Sequence, residues 1–146
     1  MSGNLKIGVY PGSFSPMHIG HYDVIKKASR IFDKVVIARG KNPQKDSPTY
    51  EIPALIKRDY TYAEYNGLLT EFITDYFEAD DNVTIIRGLR NTTDLQYEIT
   101  QYQYLRDFLP NIQLISIFCE PEFQHISSSG LKQLALYTDI SKYLVK

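Results

Sequence analysis

Apolar residues in this chain gather into short runs separated by stretches of helical spacing. Leu5 to Tyr10, Lys34 to Ala38, Val83 to Ile86 and Ile112 to Phe118 are brief and rich in β-branched residues, as strands covered on both faces of a parallel sheet must be. Between them the apolar period lengthens. Val24, Ile25, Ala28, Ile31 and Phe32 predict an amphipathic helix starting near Ile19. Leu68, Leu69, Phe72, Ile73 and Phe77 predict one over Asn66 to Phe77. Leu95, Ile99, Tyr102 and Leu109 predict a third over Thr92 to Leu109, and Leu131, Leu134 and Ala135 a fourth over Ser127 to Tyr137. The alternation is that of an α/β fold, a Rossmann-like parallel sheet flanked by helices, here as a single domain over 1–146. Such sheets bind ligands beyond the carboxyl ends of their strands. Lys41 to Asn66 breaks the rhythm: Pro43, Pro48 and Pro53 among charges and tyrosines predict a loop with at most a short helix near Ala54 to Tyr60.

Composition narrows the class. The chain has 146 residues, 43% of them hydrophobic, enough for one real core. A net charge of −1 argues against a strongly basic nucleic-acid surface. One cysteine, Cys119, excludes an intrachain disulfide and suits a reducing cytoplasm. No charged-then-apolar leader and no apolar stretch of about 18 residues occur, so neither export nor a membrane is expected.

Candidate chemistry concentrates where the first strand ends. Pro11-Gly12 turns the chain, and His18 and His21 then fall about one turn apart at the start of the first helix. A helix N-terminus favours anions, and imidazoles add neutral or charged donors. A zinc site is disfavoured, because Cys119 and His125 are the only other nitrogen or sulfur ligands of the usual kind. Arg87 and Arg90 flank Gly88-Leu89 directly after a strand, where they can converge on phosphate or pair with Asp94. Asn91 or Thr93 can cap the following helix, with Gln96 completing a Thr-x-x-Gln box, which gives Asp94 a structural reading. Ser127, Ser128 and Ser129 open the last helix with hydroxyls suited to phosphate or to capping.

Three segments together carry a resemblance: Tyr10-Pro-Gly-Ser-Phe14 with His18-Ile-Gly-His21, Arg87-Gly-Leu-Arg90 with Asp94 and Tyr97-Glu98, and Ile126-Ser-Ser-Ser129 with Lys132. In that order they resemble the nucleotidyltransferases of the HxGH superfamily, and within it the bacterial phosphopantetheine adenylyltransferases. The resemblance implies transfer of an adenylyl group from ATP to 4′-phosphopantetheine, with Mg2+ neutralising the ATP phosphates and no side chain ligating the metal. It implies catalytic roles for His21, His18, Lys45 and Arg90, with Lys41 a competitor for Lys45. It implies ATP contacts from Ser13, Phe14, His21, Gly88, Leu89, Arg90 and Glu98, and from the Phe123, Gln124, His125, Ile126, Ser127, Ser128, Ser129 segment. Acceptor contacts are implied for Ser13, Lys45, Leu69 and Arg87. It further implies a homo-oligomer, a hexamer in relatives, and feedback by coenzyme A.

Three features depart from the pattern. His18 stands where this family more often has threonine, Ser15 where an aspartate is common, and the Lys41 to Asn66 stretch is shortened. Another phosphorylated acceptor such as nicotinamide mononucleotide, a cytidylyl donor, or a nucleotide-binding regulatory module without turnover are the alternatives.

Overall fold

The computed structural model describes residues 5–41 and 50–145. Five strands form one sheet: β1 (Lys6–Gly12), β2 (Lys34–Lys41), β3 (Thr61–Asn66), β4 (Asn82–Leu89) and β5 (Gln113–Phe118). Their order is β3-β2-β1-β4-β5, with every pairing parallel. The helices are α1 (Ile19–Ser29), α2 (Ala54–Asp59), α3 (Leu69–Tyr76), α4 (Thr92–Phe108) and α5 (Ser128–Leu134).

The period of two along the strands sorts the core into layers. Tyr10, Val35, Ile37 and Ile86 face α1 and α2, meeting Val24, Ile25 and Ile56. Ile7, Val9, Val36 and Ala38 face the other way, toward Phe72 and Phe77, and Ile85 meets Ile73 and Leu105. Each fully buried isoleucine, such as Ile25, Ile37 or Ile85, contributes roughly 2–3 kcal/mol by leaving water. Gly8 allows the helix layer to close on the sheet: a Cβ there would stand 2.5 Å from Ile86 Cδ1 and 2.8 Å from the Phe32 ring.

Four strands and all the helices fall where the hydrophobic pattern puts them, with three corrections. Thr61–Asn66 is an edge strand paired with β2 (Val36↔Thr61 to Lys41↔Asn66), not loop. Helix α3 begins at Leu69 rather than Asn66, because Gly67 adopts φ +81° and ends the extended chain just before it. The last helix is shorter than expected, Ser128–Leu134, with Leu131 its one buried residue.

The first strand also runs further than Pro11 suggests, to Gly12. A proline inside a central strand removes a ladder bond. Here the β1–β4 register covers Lys6↔Asn82 to Val9↔Ile85, while the β1–β2 register continues to Gly12↔Arg39. Pro11 therefore sits where β1 has parted from β4, and the parting opens a cleft at the point where the strand order reverses.

Candidate active site

Two cavities occupy that cleft and share Pro11 and Arg87. The first, about 190 Å³, lies under the start of α1 and is lined by His18, Gly88, Leu89, Arg90, Glu98, Phe123, Ile126, Ser127 and Ser128. The second, about 310 Å³, lies between β1, β3 and α4 and includes Ser13, Tyr65, Leu68, Leu69, Tyr104 and Phe108.

His18 is the N-cap of α1. Its Nδ1 accepts from the backbone N–H groups of Gly20 (3.1 Å) and His21 (3.4 Å), and His21 Nδ1 accepts in return from His18 N–H (3.1 Å). This is a capping box built from two histidines, and His18 Nδ1 does the work of a threonine hydroxyl at an N-cap. A backbone N–H can only donate, so both Nδ1 atoms are unprotonated and both imidazoles carry their proton on Nε2. Gly20 is required by the same fold-back, since a Cβ there would meet His18 Cε1 at 2.9 Å. The rings stack at 3.7 Å, and the Phe14 ring closes edge-on against His21 at 5.1 Å.

Burial, with the charge of Arg90, holds His18 down to about 4. Burial, the His18 ring and Arg90 push His21 well below its usual range. The donors are therefore neutral Nε2–H groups at neutral pH, which decides between the two forms left open by the sequence.

This arrangement predicts acid sensitivity. The unfolded histidine titrates near 6.5 and the folded His18 near 4, so below pH 6.5 the unfolded chain binds more protons. Stability is complete above that value and falls as pH drops toward 4, by roughly 3 kcal/mol from His18 alone. Urea melts at pH 7, 5.5 and 4.5 check it. A His18→Asn variant retains a cap without the titrating group, and its stability should depend distinctly less on pH over that range.

Arg90 is fixed from several directions. Its Nε and Nη2 grip the two oxygens of Asp94 (2.9 and 3.1 Å), its own N–H donates to Asp94 Oδ2 (3.0 Å), and Nη1 reaches the Ile126 carbonyl (3.3 Å). Asn91, not Thr93, caps α4, accepting from Asp94 N–H at 2.9 Å, and Thr93 lies within the helix. Asp94 thus orients an arginine rather than only answering the helix dipole.

Arg87 Nε lies 2.7 Å from Glu98 Oε2. The approach is off the N–H direction, and both buried atoms lack a well-directed hydrogen bond. Burial raises Glu98 despite the opposing charge of Arg87.

The remaining expected residues divide. Ser13, Leu69 and Arg87 line the larger cavity. Phe14 lines neither; it is a core residue at φ 48° bracing His21. His21 also lines neither cavity, standing stacked beside His18. Gln124, His125 and Ser129 are exposed on the loop and first turn beside the smaller cavity and do not line it. Ser128 Oγ donates to the Pro16 carbonyl (2.9 Å), whereas Ser127 Oγ accepts from Gly130 N–H (3.0 Å) and lies 3.5 Å from Ser129 Oγ. Lys45 lies outside the described residues, and Lys41 pairs with Glu64 at 3.1 Å.

Sequence reasoning missed Tyr10 and Cys119 in the smaller cavity, and Tyr65, Gln101 and Tyr104 in the larger. The spacing of Gln101, Leu105 and Phe108 along one side of α4 was the available signal. Among the described residues no group of three or more His, Cys, Asp or Glu could hold a metal ion. No helix among them is long and apolar enough to cross a membrane.

Comparison with known proteins gives the family and the fold. The Cytidylyltransferase-like family matches residues 9–134. The phosphopantetheine adenylyltransferase of Geotalea daltonii is 39% identical over 90% of this chain and 84% of its own length, and that of Mycoplasma mycoides is 36% identical over 91% and 99%. A structure from Vibrio parahaemolyticus, assigned as a nicotinate-nucleotide adenylyltransferase, superposes with a TM-score of 0.66 at 18% identity, covering 97% of this chain and 94% of that one; it speaks for the fold. Matched by that family over residues 9–134 and by such relatives along nearly its whole length, the chain belongs to the cytidylyltransferase-like family and, within it, to the phosphopantetheine adenylyltransferases.

Proposed function

We propose that the chain transfers the adenylyl group of ATP to 4′-phosphopantetheine, forming dephospho-coenzyme A and releasing pyrophosphate. The observation that carries this reading is the pair of cavities meeting at Pro11 and Arg87, one bringing His18, Arg90 and the serines of the last helix together, the other walled by Leu68, Leu69, Tyr104 and Phe108. ATP occupies the first. Its phosphates lie among His18, Arg90 and Ser127, and its base lies toward Phe123 and Ile126. The acceptor occupies the second, its phosphate at Ser13 and its long amide arm along Leu69, Tyr104 and Phe108, with Thr70 and Gln101 as polar contacts. That lining suits an aliphatic amide chain better than the ribose and charged pyridinium ring of nicotinamide mononucleotide.

The acceptor phosphate oxygen attacks the α-phosphorus in line, a new P–O bond forms, and the bond to the β-phosphate oxygen breaks. A phosphate needs no deprotonation to attack, so positioning and charge stabilisation suffice. The Nε2–H groups of His21 and His18 and the Arg90 guanidinium meet the charge that builds on the α-phosphate oxygens. Mg2+ would be held by the nucleotide's own phosphate oxygens and water, which fits a cavity whose acidic lining is Glu98 alone; when bound it neutralises phosphate charge.

Pyrophosphate release from ATP and Mg2+ tests the reading, with 4′-phosphopantetheine and nicotinamide mononucleotide as parallel acceptors. Release with phosphopantetheine alone is expected. Release with the mononucleotide, or only with CTP as donor, moves the substrate assignment, and ATP binding without release favours a regulatory module.

The chain works as one domain over 1–146 in the cytoplasm, and as a homo-oligomer. Leu95, Tyr97, Ile99, Tyr104 and Phe108 of α4 are all exposed, and Leu105 is the one buried residue of that helix. A helix so apolar outside suits burial against further copies, a hexamer by family resemblance.

A further inference from the structure

One arginine has no part in the site as described. Arg39, on β2, is only 5% exposed. Its Nε donates to the Ser13 carbonyl (2.9 Å), and its Nη2 donates to the carbonyls of Phe14 (3.4 Å) and Tyr50. No carboxylate forms an ion pair with it among the described residues.

The groups packed around it are neutral or already matched. From the turn after β1 come Ser13, Phe14 and Ser15. From the segment before α2 comes Tyr50, whose N–H donates to Ser15 Oγ at 3.4 Å. From β3 comes Tyr62, whose hydroxyl donates to Glu64 Oε2 at 2.8 Å, while Glu64 pairs with Lys41 from the end of β2. Burial and the hydrogen bond and charge of Glu64 push the Tyr62 phenol up to about 12 against the opposing pull of Arg39, so it stays neutral. Among these described groups the acid, Glu64, is one tyrosine away and has its own lysine.

A buried guanidinium without a counter-ion is expensive, and carbonyl acceptors recover only part of the cost. What the arrangement gains is a shaped and charged turn. Phe14 holds a left-handed φ of 48°, unusual for a residue with a side chain, and its carbonyl and that of Ser13 are both drawn toward Arg39. In a planar trans peptide the N–H opposes the C=O, so the N–H groups of Phe14 and Ser15 are turned away from Arg39. Ser13 itself lines the acceptor cavity.

We propose that Arg39 is a positioning residue for the acceptor phosphate: it fixes the Ser13–Ser15 turn from behind and supplies there a positive charge that no carboxylate among the described residues pairs, so that the site selects a dianionic phosphomonoester. The proposal rests on the reading of the larger cavity as the acceptor site. The turn also braces His21 through Phe14, so a merely structural role would disturb both substrates alike; an electrostatic role acts on the acceptor.

Calorimetric titration separates these. Wild type, Arg39→Met, Arg39→Gln and Arg39→Lys are each titrated with ATP, 4′-phosphopantetheine and nicotinamide mononucleotide between pH 5 and 7.5. Phosphomonoesters lose their second proton near pH 6, and His18, held near 4, remains neutral through that window. Wild type should bind phosphopantetheine more tightly as pH rises through about 6. Arg39→Met and Arg39→Gln should weaken that binding roughly 10- to 100-fold, flatten its pH step and leave ATP affinity nearly unchanged, with Arg39→Lys restoring part of both. Should the methionine variant not fold, the glutamine variant keeps a donor without the charge and carries the same expectation. An absent pH step in wild type, unchanged phosphopantetheine affinity in folded neutral variants, or equal losses for ATP and acceptor with the step intact would each overturn the proposal. Wild type that takes nicotinamide mononucleotide but not phosphopantetheine, with the pH step and its loss in the neutral variants, would overturn the substrate reading and support Arg39. Binding of neither acceptor overturns both.

Discussion

Replacing His21 with alanine is expected to lower kcat by roughly 100- to 1,000-fold while moving the ATP dissociation constant only a few-fold. The asymmetry follows from when the donor matters. In the ground state the α-phosphate oxygens are already solvated and shared with other cations. In the transition state, charge shifts onto oxygens that a fixed Nε2–H can meet without reorganisation. The structure supplies the fixing: His18 N–H takes His21 Nδ1, and the ring lies between the His18 imidazole and the Phe14 edge. Because the ring is held as a neutral donor, the remaining wild-type rate should be nearly flat from pH 8 to 6 as far as these histidines are concerned. Steady-state pyrophosphate release, paired with equilibrium ATP binding, measures both quantities. Unaltered turnover would remove His21 from the chemistry.

Arg90→Ala should act earlier in the cycle, weakening ATP binding by roughly 10- to 100-fold, the worth of one or two charge-assisted hydrogen bonds to phosphate. Asp94→Asn tests the same idea from behind. It leaves Arg90 charged but removes the negative partner that aligns it, so nucleotide affinity should fall in the same direction by a smaller factor. If Arg90 were only a salt-bridge partner of Asp94, both variants would lower the melting temperature and leave ATP affinity where it was. Fluorescence titration with an ATP analogue beside a thermal melt distinguishes the two outcomes.

The central strands and the helices were legible because their residues are buried on two faces or one stripe, and burial leaves its period in the sequence. β3 was not, for a physical reason. Thr61, Tyr62, Ala63 and Tyr65 are only partly buried and Glu64 is exposed, so an edge strand of tyrosines, apolar in body and polar at the tip, shows no clean alternation. The residues proposed to face phosphate were legible as types at spacings, but their states were not. Nothing in a His-x-x-His spacing says that the first histidine caps the second, since histidine is not among the usual N-caps. Asp94 likewise reads as a helix-dipole residue until Arg90 is seen in its grasp. Arg39 passed unnoticed because a lone arginine at the end of an apolar run reads as a solvated strand end, and only the closing of the turn and Tyr50 over it removes the water.

The register of the sheet also bears on how the molecule is made. No two neighbouring strands are joined by a hairpin; each parallel pair needs a crossover, and β1 meets β4 only across the chain from Lys6 to Asn82. Local turns therefore cannot nucleate this sheet, and its slowest assembly step is the closure that brings these distant segments side by side. The cleft belongs to that same pair of strands. A chain emerging from the ribosome holds both histidines early, yet has no nucleotide site until the arginine-bearing strand has been synthesised and docked, so competence for chemistry is acquired at the end of folding rather than along the way.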